Sequence, residues 1–267
     1  MIKETLVKHN IRLKKRLGQN FLSDINQLNK IADAADLSRE DLVLEIGTGL
    51  GTLTKIIAAR AGQVITVEYD RSLIPAAKDA LKGFDNIELV NDDIMEMNIP
   101  KVIDKFSVFK HRKVVANVPY YITTPLISLL LGSKADFETI VLLIQKEVAE
   151  RIIAKPGTKA YGSFTIFVNY YAEPKITHRI PASSFIPRPK VDSAVLKLIK
   201  RKAPTVKVKD EKLFFKIVHA AFQQRRKMLK NAIENAGLKW PDNTAIDGKR
   251  RGETLSIQEF AELSSCF

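Results

Sequence analysis

From residue 41 to residue 145, short β-rich apolar runs alternate with helical stretches, and this alternation limits the fold more than any other feature of the chain. DLVLEIG (41–47), VITVEYD (64–70), NIELVNDD (86–93), KVVANVPY (113–120) and TIVLLIQ (139–145) read as five strands, with helices between them at 53–61 and 72–81. Strands spaced by helices imply right-handed βαβ units and a parallel sheet, hence an α/β fold. After residue 153 the pattern changes. SFTIFVNYYA (163–172) and SAVLKLIK (193–200) predict two further strands, joined by the Pro-rich loop ASSFIPRPKVD (182–192). Two strands without a helix between them suit an antiparallel addition at the sheet edge. The charged run KRKAPTVKVKD (200–210) reads as a linker. Beyond it Leu213, Phe214, Ile217, Val218, Ala221 and Phe222 recur at helical spacing, and Gly237 marks a helix C-cap. Ser256 and Glu259 form an S-x-x-E capping box for a short last helix carrying Phe260 and Leu263. The expected division is a catalytic α/β domain over 1–200 and a small all-helical domain over 201–267.

The longest apolar run, 125–131, is too short to span a bilayer, and the charged N-terminus has no signal-peptide pattern. A soluble, cytoplasmic chain is expected. The single Cys266 excludes an internal disulfide, and His9, His111, His178 and His219 show no paired ligand spacing, so no metal is expected. The net charge of +13 is unevenly placed: +5 over 1–20, +1 over 21–199 and +7 over 200–267. Basic ends around a near-neutral middle point to a polyanion, nucleic acid before membrane. Arg225, Arg226, Lys227 and Lys230 fall within six residues. On one helix, 226 and 230 would be neighbours with 227 alongside, presenting a basic stripe to RNA phosphates.

Ligands of open parallel sheets bind outside the carboxyl ends of the strands, and the chemically interesting residues lie there. Gly47, Gly49 and Gly51 follow the first strand, where glycine permits a tight turn and close backbone approach to a ligand. Thr52 breaks the dinucleotide pattern G-x-G-x-x-G, and a glycine-rich turn alone is often only a packing device. Glu68 closes the second strand, where a carboxylate can accept both ribose hydroxyls of an adenosine moiety. Asp93 closes the third and can accept from an adenine amino group; spacing alone leaves Asp92 as a rival. These features leave NAD and S-adenosylmethionine both open.

Asn117-Val118-Pro119-Tyr120 at the end of the fourth strand favours the second. An adenine amino group is a poor nucleophile because its lone pair is delocalised into the ring. Two acceptors aimed at its N–H groups draw it toward a lone-pair-localised form, and the Asn117 side chain with a main-chain carbonyl at Val118 or Pro119 could supply them. Pro119 fixes the turn, and Tyr120 offers a face on which a flipped base can stack.

RLGQNFL (16–22), LEIGTGLGTLT (44–54), VEYD (67–70), NVPYYITTP (117–125), QKEVAER (145–151), KAYGSF (159–164), FIPRPKVDSAV (185–195), QRRKMLKNAI (224–233) and LSIQEF (255–260) together carry a resemblance. The sequence resembles the bacterial ribosomal RNA adenine dimethyltransferase family responsible for kasugamycin sensitivity, over nearly its whole length. The resemblance implies a Rossmann-like, seven-stranded S-adenosylmethionine methyltransferase sheet with a helical C-terminal domain. It implies cofactor contacts from Asn20, Leu22, Gly47, Glu68, Asp93 rather than Asp92, and Asn117, with Phe185 near the target base or in the core. Val118 departs from the Leu or Ile more usual in the family, at a position that contributes backbone. The implied activity is dimethylation of two adjacent adenosines in the hairpin loop near the 3′ end of small-subunit rRNA. The expected partner is that RNA or the assembling subunit, met by a monomer. Two rivals remain. One is a large-subunit rRNA adenine methyltransferase, which shares the asparagine-proline-aromatic motif. The other is a retired methyltransferase acting as an RNA-binding assembly factor.

Overall fold

The computed structural model describes residues 2–14 and 17–267. The elements are, in chain order, α1 (Ile2–Lys8), β1 (Phe21–Leu22), α2 (Ile25–Ala34), β2 (Asp41–Ile46), α3 (Thr52–Ala58), β3 (Gln63–Glu68) and α4 (Ile74–Ala80). There follow β4 (Ile87–Asn91), α5 (Ile99–Ile103), β5 (His111–Asn117), α6 (Thr123–Gly132), β6 (Thr139–Gln145), α7 (Lys146–Ile152), α8 (Ser163–Tyr171) and β7 (Ala172–Ile180). The chain closes with β8 (Phe185–Ile186), β9 (Ser193–Lys200), α9 (Glu211–Gln223), α10 (Leu229–Asn235) and α11 (Ile257–Ser265).

Seven strands form one sheet in the order β4-β3-β2-β5-β6-β9-β7. The first five are parallel, and β9 runs antiparallel to β6 with Leu196 opposite Leu142. β2 is buried at every residue, as its apolar run on both faces requires of a central parallel strand. Its two acids are handled differently. Asp41 accepts from Lys113 Nζ on β5 at 2.9 Å and from the Ser38 amide at 2.6 Å, while Glu45 Oε2 accepts the Thr66 hydroxyl at 2.6 Å. β1 and β8 make a separate antiparallel pair that sets Leu22 opposite Phe185. The N-terminal helix packs Ile2 against Leu50, Leu73 and Ala76.

The chain divides into two compact units, one of residues 1–149 and 175–200 and one of 150–174 and 201–267. The helical unit thus takes in a segment that the sequence assigns to the sheet domain. Residues 163–172, expected as a strand, form helix α8. Their β-branched and aromatic composition suits a strand, but packing decides. Ile166 and Tyr170, four residues apart, are buried with Phe214, Ile217 and Phe260, and Tyr170 stacks on Phe214 at 5.3 Å. The Gly162 amide donates to Thr165 Oγ1 at 3.1 Å and starts the helix. The strand falls instead on β7, whose position at the sheet edge tolerates Pro174.

The expected linker is also packed. The Arg201 amide donates to Tyr171 O at 2.8 Å, the Thr205 amide to Tyr170 O at 3.0 Å, and Val206 is buried. Gly237, at φ +76°, ends α10 as anticipated, with its amide bonded to Glu234 O and that of Leu238 to Ile233 O. The Ser256–Glu259 capping box is present on α11, with Phe260 and Leu263 fully buried.

The basic stripe is corrected. α9 ends at Gln223 and α10 begins at Leu229, so Arg225, Arg226 and Lys227 lie in a turn and share no helix with Lys230. The Leu229 and Lys230 amides bond to Arg250 O and Gly248 O, which keeps them from continuing α9.

Candidate active site

The glycine turn after β2 is held from beneath, the Gly47 amide donating to Val67 O of β3 at 2.8 Å. Gly47 and Gly49 take φ of +85° and +57°, where a side chain would be strained. A Cβ on Gly49 would also stand 3.2 Å from the Phe21 ring, so the turn and the segment 17–22 lie against each other.

Glu68, at the end of β3, is 6% exposed. Its two oxygens accept the Gly49 amide at 2.8 Å and the Asp70 amide at 2.7 Å. Burial pushes its pKa up, and these amides oppose the shift. A carboxylate has about four lone-pair sites, so two remain for ribose hydroxyls. These acceptor sites therefore fit an adenosine moiety. Beyond β4, Asp92 and Asp93 both line the adjoining recess with Ile94 and Met95. Burial, then the charges of Asp93, Tyr69 and Glu68, raise the pKa of the Tyr121 hydroxyl at the edge of this recess.

At the end of β5, Asn117 Nδ2 donates to the main-chain oxygen of Asn20 at 3.3 Å. The side-chain oxygen of Asn117 is thereby left to accept an N–H. Pro119 O accepts from the Ile122 amide at 3.2 Å, so of the two candidate carbonyls that of Val118 is the one not committed to the turn. Tyr120 is half-buried, and its hydroxyl meets the fully buried Ser193 Oγ at 2.7 Å, which fixes the ring.

These groups surround one cleft with two lobes. The first is lined by the segment from Leu17 to Leu22, the glycine turn, Asn117 to Tyr121 and Phe185; the second by Asp92 to Met95, with Leu17, Gly47, Glu68, Tyr69, Pro119 and Tyr121 common to both. Asn20, Leu22, Gly47, Glu68, Asn117, Pro119, Tyr120 and Phe185 thus meet in the first lobe, and Asp93 stands in the second. Phe185, 3% exposed, also belongs to the core beside Leu22 and Val195. Arg16, the start of one motif, lies outside the described residues.

The basic residues 225–230 line neither lobe. Arg225 is engaged, donating to Glu253 Oε2 at 2.8 Å and to Lys159 O at 3.0 Å, whereas Arg226 and Lys227 are exposed and Lys230, also exposed, stands 4.0 Å from Glu234 Oε1. At the other end, Lys8 and Lys14 pair with Asp79 and Asp70. Sequence reasoning also passed over Tyr69 and Tyr121, each 58% exposed at the mouth shared by the two lobes. Their position beside Glu68 and Tyr120 was the available signal. Among the described residues no group of acids, histidines and cysteines could hold a metal ion, and no helix is long and apolar enough to cross a membrane.

Residues 10–267 match the pattern of the family described as ribosomal RNA adenine dimethylase. The chain belongs to this family. It is 46% identical over 271 residues to a Clostridium botulinum (strain Okra / Type B1) protein named ribosomal RNA small subunit methyltransferase A, covering 99% of this chain and 97% of that one. A Shouchella clausii protein of the same name is 46% identical over 269 residues, covering 97% and 91%. Among solved structures, the chain resembles a dimethyladenosine transferase from Plasmodium falciparum with a TM-score of 0.75 and 28% identity, covering 91% of this chain and 95% of that one. It resembles the 23S rRNA methyltransferase ErmE with a TM-score of 0.72 and 26% identity, covering 92% and 98%. The chain is an RNA adenine methyltransferase, and its fold and family are those of S-adenosylmethionine-dependent enzymes.

Proposed function

We propose that this protein converts two adjacent adenosines, in the hairpin loop near the 3′ end of small-subunit rRNA, to N6,N6-dimethyladenosine during ribosome biogenesis. The observation that carries this reading is the setting of Asn117, whose Nδ2 is tied to Asn20 O so that its oxygen is left to accept from an amino group.

Gly47, Glu68 and Asp93, with Asn20 and Leu22 from the N-terminal segment, would hold S-adenosylmethionine. When bound, S-adenosylmethionine supplies an electrophilic methyl group on a sulfonium centre. Asn117 Oδ1 and Val118 O accept the two N–H bonds of the adenine amino group and localise its lone pair. Tyr120, held by Ser193, stacks on the extruded base for ~1–3 kcal/mol. No strong base is required at the site, because methylation acidifies the nitrogen and its proton can leave to water. Alignment of the nitrogen is the main demand on the protein. After one methyl has been added a single N–H remains, so one of the two acceptors suffices for the second transfer.

The helical residues 201–267 are assigned to holding RNA, with Arg226, Lys227 and Lys230 on phosphates. Arg225 is withdrawn from that role because Glu253 occupies it. The substrate is taken to be the RNA within an assembling subunit, met by a cytoplasmic monomer. The large-subunit reading draws on the likeness to ErmE, but the relatives sharing 46% identity carry the small-subunit name. An assembly factor without catalysis would have no use for the intact cleft. The deciding experiment presents purified protein with small-subunit particles lacking dimethyladenosine and with large-subunit RNA, followed by mass spectrometry of the digested RNA. Dimethyladenosine in the small-subunit hairpin alone is the expected result. Its appearance only in large-subunit RNA, or in neither, would overturn the assignment.

A further inference from the structure

Asp70 lies two residues beyond Glu68, and its side chain is only 2% exposed although it touches neither target base nor cofactor in the scheme above. Oδ1 accepts Lys14 Nζ at 2.6 Å, together with the amide and hydroxyl of Ser72. Oδ2 accepts Gln19 Nε2 at 2.7 Å, and Gln19 Oε1 in turn accepts the Lys14 amide at 2.8 Å. Burial alone would raise the pKa of this carboxyl; Lys14, Ser72 and Gln19 outweigh it and hold the value at about 2, so the group stays charged throughout the working range.

What Asp70 grips is a segment that lines the cleft. Next to Gln19, Asn20 offers the carbonyl that receives Asn117 Nδ2, and its own side-chain amide donates to Gly18 O. A Cβ on Gly18 would stand 3.7 Å from both Pro119 and Tyr121, and Phe21 lies against Gly49. The segment therefore touches the glycine turn on one side and the Asn-x-Pro-Tyr motif on the other. On the side of Glu68, the Asp70 amide occupies Oε1. One residue thus bonds the acid assigned to ribose through its backbone and the segment that orients Asn117 through its side chain.

We propose that Asp70 is a positioning residue: by holding Gln19 and Lys14 it fixes segment 17–22 so that Asn20 O orients Asn117, and so ties assembly of the cofactor site to alignment of the methyl acceptor. The catalytic half of this proposal rests on the role given to Asn117 above. The structural half does not.

Two variants test it. Asp70→Asn removes the charge while retaining an oxygen for the Ser72 amide. Gln19→Met cuts the tie from the other side and leaves the Asp70–Ser72 turn untouched, so it remains informative if Asp70→Asn folds poorly. Hydrogen exchange on the protein without cofactor should show amides 17–22 exchanging about tenfold faster in Gln19→Met, with amides 71–74 unchanged. At saturating S-adenosylmethionine, kcat should fall about tenfold in each variant, since small misalignment of a reacting group is expensive. The double variant should be no slower than the slower single one, because both cut one path. A merely local capping role for Asp70 predicts altered exchange at 71–74 in Asp70→Asn and wild-type behaviour of Gln19→Met. Unchanged exchange at 17–22 in Gln19→Met, kcat within about twofold of wild type, or losses that multiply in the double variant would each overturn the proposal. Failure of the wild type to methylate rRNA would count against the function assigned above and leave the exchange comparison standing.

Discussion

Asn117 divides its two side-chain atoms, the nitrogen holding Asn20 O and the oxygen left to accept an N–H. Replacing it with alanine removes the acceptor and leaves Glu68 and the glycine turn in place. Asn117→Ala should lower single-turnover methylation by ~10²–10³-fold, the loss of one preorganised polar group, while S-adenosylmethionine affinity measured by calorimetry changes far less. Methylation within tenfold of wild type would remove Asn117 from the chemistry. Glu68 is the opposite case. Glu68→Ala should cost ~1.5–3 kcal/mol of cofactor binding for lost bonds to a charged group. It also strips the Gly49 and Asp70 amides of their acceptor, so the turn should loosen. An unchanged dissociation constant in calorimetry would exclude Glu68 from the ribose.

Among the elements, β2 carries a group that the reaction does not use. Glu45 is fully buried, and burial pushes its pKa up to about 8, against the hydroxyls of Thr54 and Thr66. Near neutral pH the folded chain therefore binds a proton at Glu45 that the unfolded chain has released. Stability should be greatest at and below about pH 4.5 as far as this group is concerned, and should decline toward pH 8 by at most ~1.4 kcal/mol per unit. Glu45→Gln should flatten that decline in thermal unfolding across a pH series; the same slope in both proteins would mean that Glu45 is ionised when folded. The five parallel strands were legible because their apolar runs and the helices between them are local signals, and the strand ends carried Gly47, Glu68 and Asn117 with them. What could not be read depends on distant partners. Helix α8 exists because Phe214 packs on Tyr170, and the turn at 224–228 because Arg225 meets Glu253 twenty-eight residues away. Asp70 stood inside a recognised motif, but its partners Lys14 and Gln19 lie more than fifty residues earlier.

At the scale of the whole molecule, the charge of the last sixty-eight residues is the feature open to test. Replacing Arg226, Lys227 and Lys230 together by glutamine removes three exposed cations and spares the pinned Arg225. If each meets a phosphate, the slope of log affinity against log salt should flatten by about 2 to 3, with cofactor binding unchanged. Parallel lines of equal affinity would mean that these side chains do not touch RNA. A chain cut at residue 200 would be a poorer probe, since α8 would lose α9, against which Ile166 and Tyr170 are buried. The same interleaving of units shapes how the protein is made. In the sheet, β9 lies between β6 and β7 yet is synthesised after both. Until about residue 200 has left the ribosome, the apolar strand TIVLLIQ has an unpaired edge, and α8 waits longer still for its cover. The nascent chain therefore passes through a window in which its most adhesive strand invites pairing with a neighbour, and slow translation between residues 145 and 200 would lengthen that exposure.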